Sequence, residues 1–337
     1  MARAVFFVTL SLASVVIAQD QPRRIGSIDF YGYLELDLDL IKSAIPVRVG
    51  EPYRGAETIE SIDKAVRSTL HSPPTDVSPV CCDAQGNYMI YIGLPGVSSK
   101  GTKRNPVPRS KIQFPTSVTD LYEQTMAALT AAVVKGNTAE EYSQGFALST
   151  SDPDLRAKQL AVHTYAIQHE KLIRDVLNSS RDARQRSVAA YMLGYARQSK
   201  QQIADLVRAS HDTDDGVRNN ATRALGALAE SSPRVAAQIP AWPFIRMVSS
   251  PSWTDRNKAA WLLTSLTRSR DRRLLSELRN DAVPSLVEMA RWRNPGHAST
   301  ARILLGRIAG IPEERLVQLV NGDNAEEIIN ALRTPRE

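Results

Sequence analysis

The spacing of apolar residues divides the chain into three parts. Between residues 118 and 335, apolar residues recur every three or four positions, which is the period of an α-helix. Residues 24–95 instead combine short alternating segments, typical of strands, with two helical segments. Residues 96–117 follow neither period. We therefore predict a small α+β domain, a linker and a larger domain that is mainly α.

The helical part contains an internal repeat. Five positions recur 32 residues apart: Asp182 and Asp214, Arg186 and Arg218, Ala189 and Ala221, Leu193 and Leu225, Gly194 and Gly226. A period of this length is typical of stacked helical hairpins. An aspartate just before a helix accepts hydrogen bonds from the free N–H groups of its first turn. We predict that these Asp and Arg residues hold successive repeats together and that the glycines let neighbouring helices approach closely.

The best copy of the repeat, residues 214–226, reads D-x-x-V-R-x-x-A-x-x-A-L-G and resembles HEAT repeats. The match is strong over 214–229, good over 182–196, and degraded over 154–166, 255–266 and 297–309. The last two copies open at Asp255 and at His297, and they lose the Asp/Arg pairing at one or both places. The resemblance implies a HEAT-like α-solenoid of helical hairpins over residues 118–335, whose usual role is to hold another chain on an extended curved surface.

The remaining helices are predicted from the same period. We expect the second helices of the hairpins at 199–210, 232–248, 272–291 and 312–320. Helices 118–135 and 139–148 are expected to cap the N-terminal end of the solenoid. Helix 323–332 is expected to cap its C-terminal end.

Residues 24–95 predict the element order β-α-α-β-β. Strands are expected at 25–30, 77–82 and 88–94, and helices at 36–45 and 57–70. With Gly32 after the first strand and Gly50, Glu51 and Pro52 between the helices, this order resembles a POTRA domain. The resemblance implies a bacterial envelope protein whose partner adds a strand to an exposed sheet edge. The alternative is an unrelated small α+β cap for the solenoid.

Residues 1–18 have the features of a secretory signal peptide. Arg3 supplies a positive charge, and a largely apolar run extends from Ala4 to Ala18. Gln19 would then begin the mature chain of an exported protein, periplasmic or secreted. The alternative is an uncleaved anchor, but the run is shorter than the ~20 residues of a membrane span. No later stretch is apolar enough to cross a membrane, so we expect no stable insertion after cleavage.

The linker, residues 96–117, is rich in Gly, Ser and Pro. Its basic residues are Lys100, Lys103, Arg104, Arg109 and Lys111. Such a segment has too little apolar surface to order itself. We expect a flexible, solvated tether, and the functional alternative is a basic contact for an acidic surface.

The charge of the chain bears on its partners. The formal net charge is +6, which is mild for 337 residues. Strong nucleic-acid binders concentrate more basic charge, so we expect no nucleic-acid partner, although HEAT-like DNA glycosylases exist. Binding of an anionic polymer is kept as an alternative, and a steep loss of binding with salt would support it.

The sequence contains no recognisable catalytic or metal-binding pattern. None of the five histidines has the i, i+4 spacing of a helical zinc pair or lies at ligand spacing from a cysteine. A nucleophile elbow, a phosphate loop and a dinucleotide fingerprint are also lacking. We therefore expect a non-enzyme without catalytic, cofactor or metal sites. The rival hypothesis is an enzyme built on a HEAT-like solenoid, as in the phycobilin lyases, which a nucleophilic or acidic residue in a deep pocket would favour.

Cys81 and Cys82 are the only cysteines of the chain. In an exported protein, each has only the other as an intrachain partner. Three states are open: two reduced residues pointing to opposite faces of a strand, a vicinal disulfide, or an intermolecular link.

Two groups of residues are candidates for partner binding. Trp253 and Trp292 flank Pro and Arg near helix ends and would be exposed anchors, unless they pack in the core. The second group is the basic run Arg268, Arg270, Arg272 and Arg273. This run is expected to be either a solvated turn or the receiver of an acidic partner segment or an anionic polymer.

Together these features predict an exported, non-catalytic scaffold or adaptor. Its protein partner would bind the surface of the solenoid. If the first domain is POTRA-like, that domain would provide a second docking surface.

Overall fold

The computed structural model describes residues 23–333, and the predicted signal peptide lies outside this range. Within the described range, a small α+β unit is followed by a long series of α-helices. The predicted fold class, a mainly α repeat solenoid behind a β-α-α-β-β domain, is therefore confirmed.

The N-terminal domain packs two helices against a three-stranded sheet. Its elements are β1 (Ile25–Tyr31), α1 (Leu38–Ala44), α2 (Ala56–Leu70), β2 (Asp76–Cys81) and β3 (Tyr88–Gly93). The strand order is β1-β3-β2, with β3 parallel to β1 and antiparallel to β2. Ile41 of α1 and Ile62 and Val66 of α2 share a buried core with Ile90 and Ile92 of the central strand.

Thirteen helices follow in the described range, with a short hairpin between the first two. They are α3 (Thr116–Val134), the hairpin β4 (Glu140–Glu141) and β5 (Leu148–Ser149), α4 (Pro153–Ser179), α5 (Ala183–Leu193), α6 (Lys200–Ala209), α7 (Asp215–Ser231), α8 (Pro233–Ala236), α9 (Trp242–Met247), α10 (Trp253–Leu266), α11 (Arg272–Asp281), α12 (Val283–Ala290), α13 (Pro295–Ala309), α14 (Glu313–Asn321) and α15 (Ala325–Ala331).

Most of these helices lie in two layers. In the first layer, α4, α5, α7, α10 and α13 pack side by side in chain order. In the second layer, α6, α9, α12 and α14 each pack against a helix of the first. Val217, Ala221 and Leu225 of α7 are fully buried, since they form the apolar face that this two-layer stacking covers. This is the architecture of a helical repeat solenoid.

Segment 139–148 is a correction to the predicted cap helices. It forms the β4–β5 hairpin instead of a helix. Gly136 and Gly145 have positive φ, which interrupts a helix and suits turns. Glu140 of the hairpin pairs with Arg223 on α7, so a tertiary contact holds the strand conformation that the local pattern did not indicate.

Two other predicted helices are each divided into two. Segment 232–248 forms α8 and α9, and segment 272–291 forms α11 and α12. Pro243 and Pro284 lie in the first turn of the later helix of each pair. Because proline has no N–H to donate, it begins a helix readily but does not continue one.

Buried arginines connect successive repeats. Arg186 of α5 binds Asp212, in the loop before α7, at 2.7 and 2.8 Å. Arg218 of α7 binds Asp255 of α10 at 2.8 Å. An equivalent arginine of α10, Arg256, binds Glu288 of α12 at 3.1 Å. Removing one partner of such a buried pair would leave an uncompensated charge, so each pair ties one repeat to the next.

The N-terminal caps of the helices confirm the predicted first residue of some repeats and correct that of others. Asp182 and Asp214 accept backbone N–H groups at the starts of α5 and α7. The openings of the last two copies are corrected, because α10 begins after Ser252 and α13 after Asn294. The residues that the sequence placed at these openings, Asp255 and His297, therefore lie inside the helices.

Two repeat glycines lie where helices of the first layer approach each other. A Cβ atom at Gly226 would overlap the ring of Trp261 on α10. One at Gly194 would lie 2.7 Å from the Cβ of Ala224 on α7. The absence of a side chain at these positions permits the close packing.

The predicted linker is bound along the solenoid, which corrects the expectation of a solvated tether. We call residues 96–111 the strap. Three of its backbone N–H groups donate to solenoid carbonyls: Lys100 to Ser249, Asn105 to His211 and Ser110 to Ser179, at 2.7, 2.8 and 3.0 Å. These acceptors lie at the chain turns that precede α10, α7 and α5. The strap is ordered by main-chain hydrogen bonds to distant residues, so its polar composition alone did not reveal it.

Candidate binding surfaces

The N-terminal domain is docked on the solenoid through an aromatic cluster. Trp292 is 2% exposed, and its Nε1 donates to the carbonyl of Phe30 at 3.2 Å. Trp253 is 8% exposed, and its ring stacks on that of Tyr91 with centroids 4.9 Å apart. Trp253 and Trp292 are therefore not exposed anchors for an external partner, which corrects that expectation. They anchor the chain's own N-terminal domain.

Glu288 of α12 is the central polar residue of this domain junction. Its carboxylate accepts the backbone N–H groups of Gly32, Tyr33 and Leu34 at 2.7, 2.9 and 3.1 Å. It also accepts the hydroxyl of Ser98 at 2.5 Å, in addition to the α10 arginine described above. Gly32 has a φ of +73°, a conformation that favours glycine and directs successive N–H groups toward one anion.

Two titratable residues at the junction have shifted pKa values. His297 of α13 is hydrogen-bonded to the hydroxyl of Tyr91 at 2.6 Å. Burial, and then the charge of Lys258, lowers the pKa of His297 to about 4. Asp29 of β1 accepts the N–H of Arg293 at 3.1 Å, and burial raises the pKa of this aspartate to about 6. The pKa of the histidine is thus lowered and that of the aspartate raised, so the two residues have opposite effects on how the stability of the protein depends on pH.

The four arginines of the basic run, residues 268–273, do not form a single patch, which corrects the prediction of one candidate binding group. Arg268 and Arg273 each pair with a glutamate, at 2.7 and 3.2 Å. Arg270 and Arg272 line a groove of about 530 Å³ between α11 and the turn from α13 to α14. Arg270 also pairs with Glu313 at 2.6 Å, so three of the four arginines are in ion pairs and two of the four line the groove.

A second groove lies between the strap and α9. We call it the Trp242 groove; it has a volume of about 640 Å³ and is lined by strap residues 102–106 together with His211, Trp242, Pro243 and Arg246. Trp242 is 58% exposed, and its ring centroid lies 6.3 Å from that of His211. Lys103 and Arg246 have no ion pair within residues 23–333. The groove therefore offers an apolar surface bordered by free positive charge.

A third cluster lies where the β4–β5 hairpin covers α7 and α10. The ring of Tyr142 lies 6.0 Å from that of Trp261. Burial, and then the nearby charge of Arg223, lowers the pKa of Lys258 to about 8. However, the cavity beside Arg223 holds only about 10 Å³, which is about the space of a single water molecule. This cavity is therefore too small for a substrate.

The structure joins Cys81 to Cys82 in a disulfide, with a cis peptide bond between them. The sequence left three states possible for these cysteines, and the structure has the vicinal disulfide. The guanidinium Nη1 of Arg23 lies 2.9 Å from the Sγ atom of Cys81. The bridge sits at the end of the edge strand β2.

Two general features of the described residues bear on ligands. Within residues 23–333, no three His, Cys, Asp or Glu side chains lie close enough together to hold a metal ion. No helix in the same range is long and apolar enough to cross a membrane.

Comparison with known proteins gives only distant structural likenesses. No protein-family model and no curated protein matches the sequence. Among solved structures, the chain is similar to an engineered protein with a TM-score of 0.38 and 15% identity, over 66% of this chain and 90% of that one. It is also similar to a designed armadillo repeat protein in complex with the peptide (KR)4, with a TM-score of 0.37 and 13% identity, over 56% of this chain and 89% of that one. These scores are too low to support an argument about function.

The Trp242 groove is the feature that the sequence analysis missed. Trp242 is followed by Pro243, and Arg246 comes one turn later, so it has the same local signature that singled out Trp253 and Trp292. What distinguishes the three tryptophans is which of them the N-terminal domain covers. Tertiary contacts alone determine that.

Proposed function

We propose that this protein is a non-catalytic scaffold that binds a protein partner in the Trp242 groove. The observation that supports the proposal is a tryptophan that is 58% exposed at the edge of an apolar groove. Large exposed apolar surfaces on folded proteins usually mark binding sites. Tryptophan and arginine are also the residues that most often dominate the energy of protein interfaces.

The charge around the groove indicates the kind of partner. Lys103 and Arg246 are exposed and unpaired within the described range, and Lys100 lies nearby on the strap. An acidic side chain of a partner would satisfy these cations, while an apolar side chain packs on Trp242. We therefore propose that the bound element is an acidic peptide segment with an apolar or aromatic residue.

The HEAT-like repeat pattern supports the same proposal. The matching residues lie at 182–229, and solenoids of this kind usually present an extended surface to another chain. The strap adds its own residues to that surface, so the proposed site is built from two separate segments of the sequence.

Export is also part of the proposal. It rests on the signal-like pattern of residues 1–18, which predicts a mature chain that begins at Gln19. Mass spectrometry of the N-terminal peptide, after expression in a bacterium with fractionation of the envelope, tests it. A periplasmic or secreted product that starts at Gln19 is expected, and a cytoplasmic product with an intact N-terminus would contradict export.

The N-terminal domain has mainly a supporting role in this proposal. Its POTRA-like element order implies strand addition at a sheet edge. The edge strands are β1 and β2, and β1 packs against α12, so the strand considered is β2. Pro79 lies in β2 and lacks an N–H donor, and Asp76 at the start of the strand already accepts the N–H of Trp253 at 2.8 Å. Strand addition at this edge is therefore a weaker docking mode than the Trp242 groove.

The test is capture of a partner by the immobilised protein from envelope extract, repeated with variants. Trp242→Ala and Arg246→Glu should each weaken binding of the captured protein by about 2 kcal/mol or more. Leu160→Ala and Arg234→Glu are matched controls, since both alter exposed residues away from the groove.

Titration calorimetry with the captured protein then quantifies the effects. Equal binding by all four variants and the wild type would remove the groove from the proposal. A wild-type protein that captures nothing saturably would overturn the scaffold function itself.

A further inference from the structure

The groove between α11 and the α13–α14 turn, which we call the arginine groove, is built mainly from guanidinium groups. Arg272 and Arg279 lie on one face of α11, since they are seven residues apart, and Leu275 and Ser276 lie between them on that face. The opposite wall carries Arg307 at the end of α13, and Arg270 lies at the entrance to α11. This convergence of four arginines does not depend on the Trp242 groove or on a protein partner.

The protein neutralises only part of this charge. Glu313 binds Arg270 at 2.6 Å and Arg307 at 2.8 Å, and these contacts, that of Arg307 first, lower the pKa of the glutamate to about 2. Arg279 donates only to backbone carbonyls, at 2.9 and 3.4 Å. The side chain of Arg272 has no hydrogen bond or ion pair within residues 23–333. Two guanidinium groups of the groove therefore lack an anionic partner.

The other acidic groups of α11 and its cap do not pair with the groove arginines. Asp281, at the end of the helix, lines a separate pocket with Lys100 and Arg246. Asp271 caps the helix by accepting the N–H of Leu274 at 2.9 Å. Glu277 pairs with Arg273 on the neighbouring face of the helix. Neither carboxylate pairs with Arg272 or Arg279.

Arg307 is the most buried of the four arginines that line the groove. Arg307 is 6% exposed. Its Nε atom is buried and has no hydrogen-bond partner among the described residues. A buried donor left unpaired is unfavourable. Buried, partnerless donors of this kind are uncommon in folded proteins.

We propose that the arginine groove is a binding site for a phosphate-bearing polyanion. Planar guanidinium groups bind phosphoryl oxygens in pairs and are more weakly hydrated than ammonium groups. Arg272 and Arg279 lie about 10 Å apart along the axis of α11, so a ligand with more than one phosphoryl group fits better than a single small anion. The phosphoryl groups come either from a free oligophosphate or from lipid headgroups.

The experiment is titration calorimetry of the full protein with inorganic tripolyphosphate at low and at physiological salt. A vesicle arm uses phosphatidylcholine with and without one-fifth phosphatidic acid. The groove variant is Arg272→Gln with Arg279→Gln, both at exposed positions on α11. The matched control is Arg273→Gln with Arg315→Gln, which removes the same charge from exposed arginines that lie outside the groove.

We expect the groove variant to weaken binding by about 10- to 100-fold, because charge-assisted hydrogen bonds are lost. The control variant should change the binding affinity by less than about threefold. Groove-dependent binding of tripolyphosphate identifies a free oligophosphate, and groove-dependent binding of acidic vesicles alone identifies lipid headgroups.

Three results would overturn the proposal. One is an equal loss in the groove variant and the control, which would reveal nonspecific attraction. Another is no wild-type binding of either probe at millimolar concentration. The third is equally tight, groove-dependent binding of a polyglutamate peptide without any binding of tripolyphosphate or vesicles.

Discussion

At the scale of single residues, Glu288 contributes most to the junction between the two domains. It is 4% exposed and neutralises Arg256, which is fully buried. The Glu288→Gln variant should lose about 3–5 kcal/mol of unfolding free energy, because it leaves the arginine without a counter-charge. Urea denaturation followed by circular dichroism measures this loss.

The control for this prediction is Glu277→Gln. Glu277 pairs with Arg273, whose side chain is 90% exposed, and exposed pairs contribute at most about 1 kcal/mol. Similar losses in the two variants would show that Glu288 is not an unusually important contact.

The two shifted junction residues predict opposite effects of pH. The folded-state pKa of His297 is about 4, below its ordinary value of 6.5, so its stabilising contribution is present above pH 6.5 and is lost as the pH falls toward 4. The pKa of Asp29 is raised from 3.8 to about 6, so its protonation adds stability as the pH falls from 6 toward 3.8.

Melting temperatures between pH 8 and pH 4.5 test this balance. Asp29→Asn should steepen the loss of stability in acid, because the compensating proton uptake is removed. His297→Gln should make the same loss shallower. Identical pH profiles for the wild type and both variants would contradict the assignment.

At the scale of elements, the strap distinguishes the structure from a chain of two tethered domains. Trypsin would attack a solvated linker first, since the strap carries five basic residues. In the native protein, we expect slow cleavage there. Arg104 holds the strap to the buried carboxylate of Asp255 at 2.9 Å, so Arg104→Gln should speed cleavage after Lys100 and Lys103 by about 10-fold.

Arg109→Gln is the matched control for the strap. It removes one tryptic site and one charge, as Arg104→Gln does, but Arg109 is exposed and has no ion pair within the described range. Rapid cleavage of the wild-type strap, at the rate of an unfolded peptide, would show that the strap is not bound.

At the scale of the whole molecule, the docked domain should unfold together with the solenoid. Ile62 is fully buried in the core of the N-terminal domain. Ile62→Ala should cost about 2–5 kcal/mol. Because the domains share the cluster around Trp292 and Glu288, the variant should move the entire helical denaturation transition to lower urea. Two separate transitions, of which only the smaller one moves, would show that the domains are independent.

Local pattern predicted the elements because each depends on neighbours in the chain. The helical period, Asp182 and Asp214 as caps, and the apolar face of α7 all follow from contacts within a few residues or between adjacent repeats. The division of helices at Pro243 and Pro284 was not predicted, although each proline lacks the N–H group that continues a helix.

The sequence by itself determined the fold class, the order of elements in the N-terminal domain and most of the solenoid helices, since periodicity, capping residues and repeated small residues act locally. Only the tertiary structure decided that the strap is bound, that Trp253 and Trp292 are buried while Trp242 is exposed, and that Arg270 and Arg272 meet Arg279 and Arg307. These outcomes depend on contacts between residues far apart in the chain. The free energy of such contacts comes from burial and from paired charges, which composition and spacing do not encode.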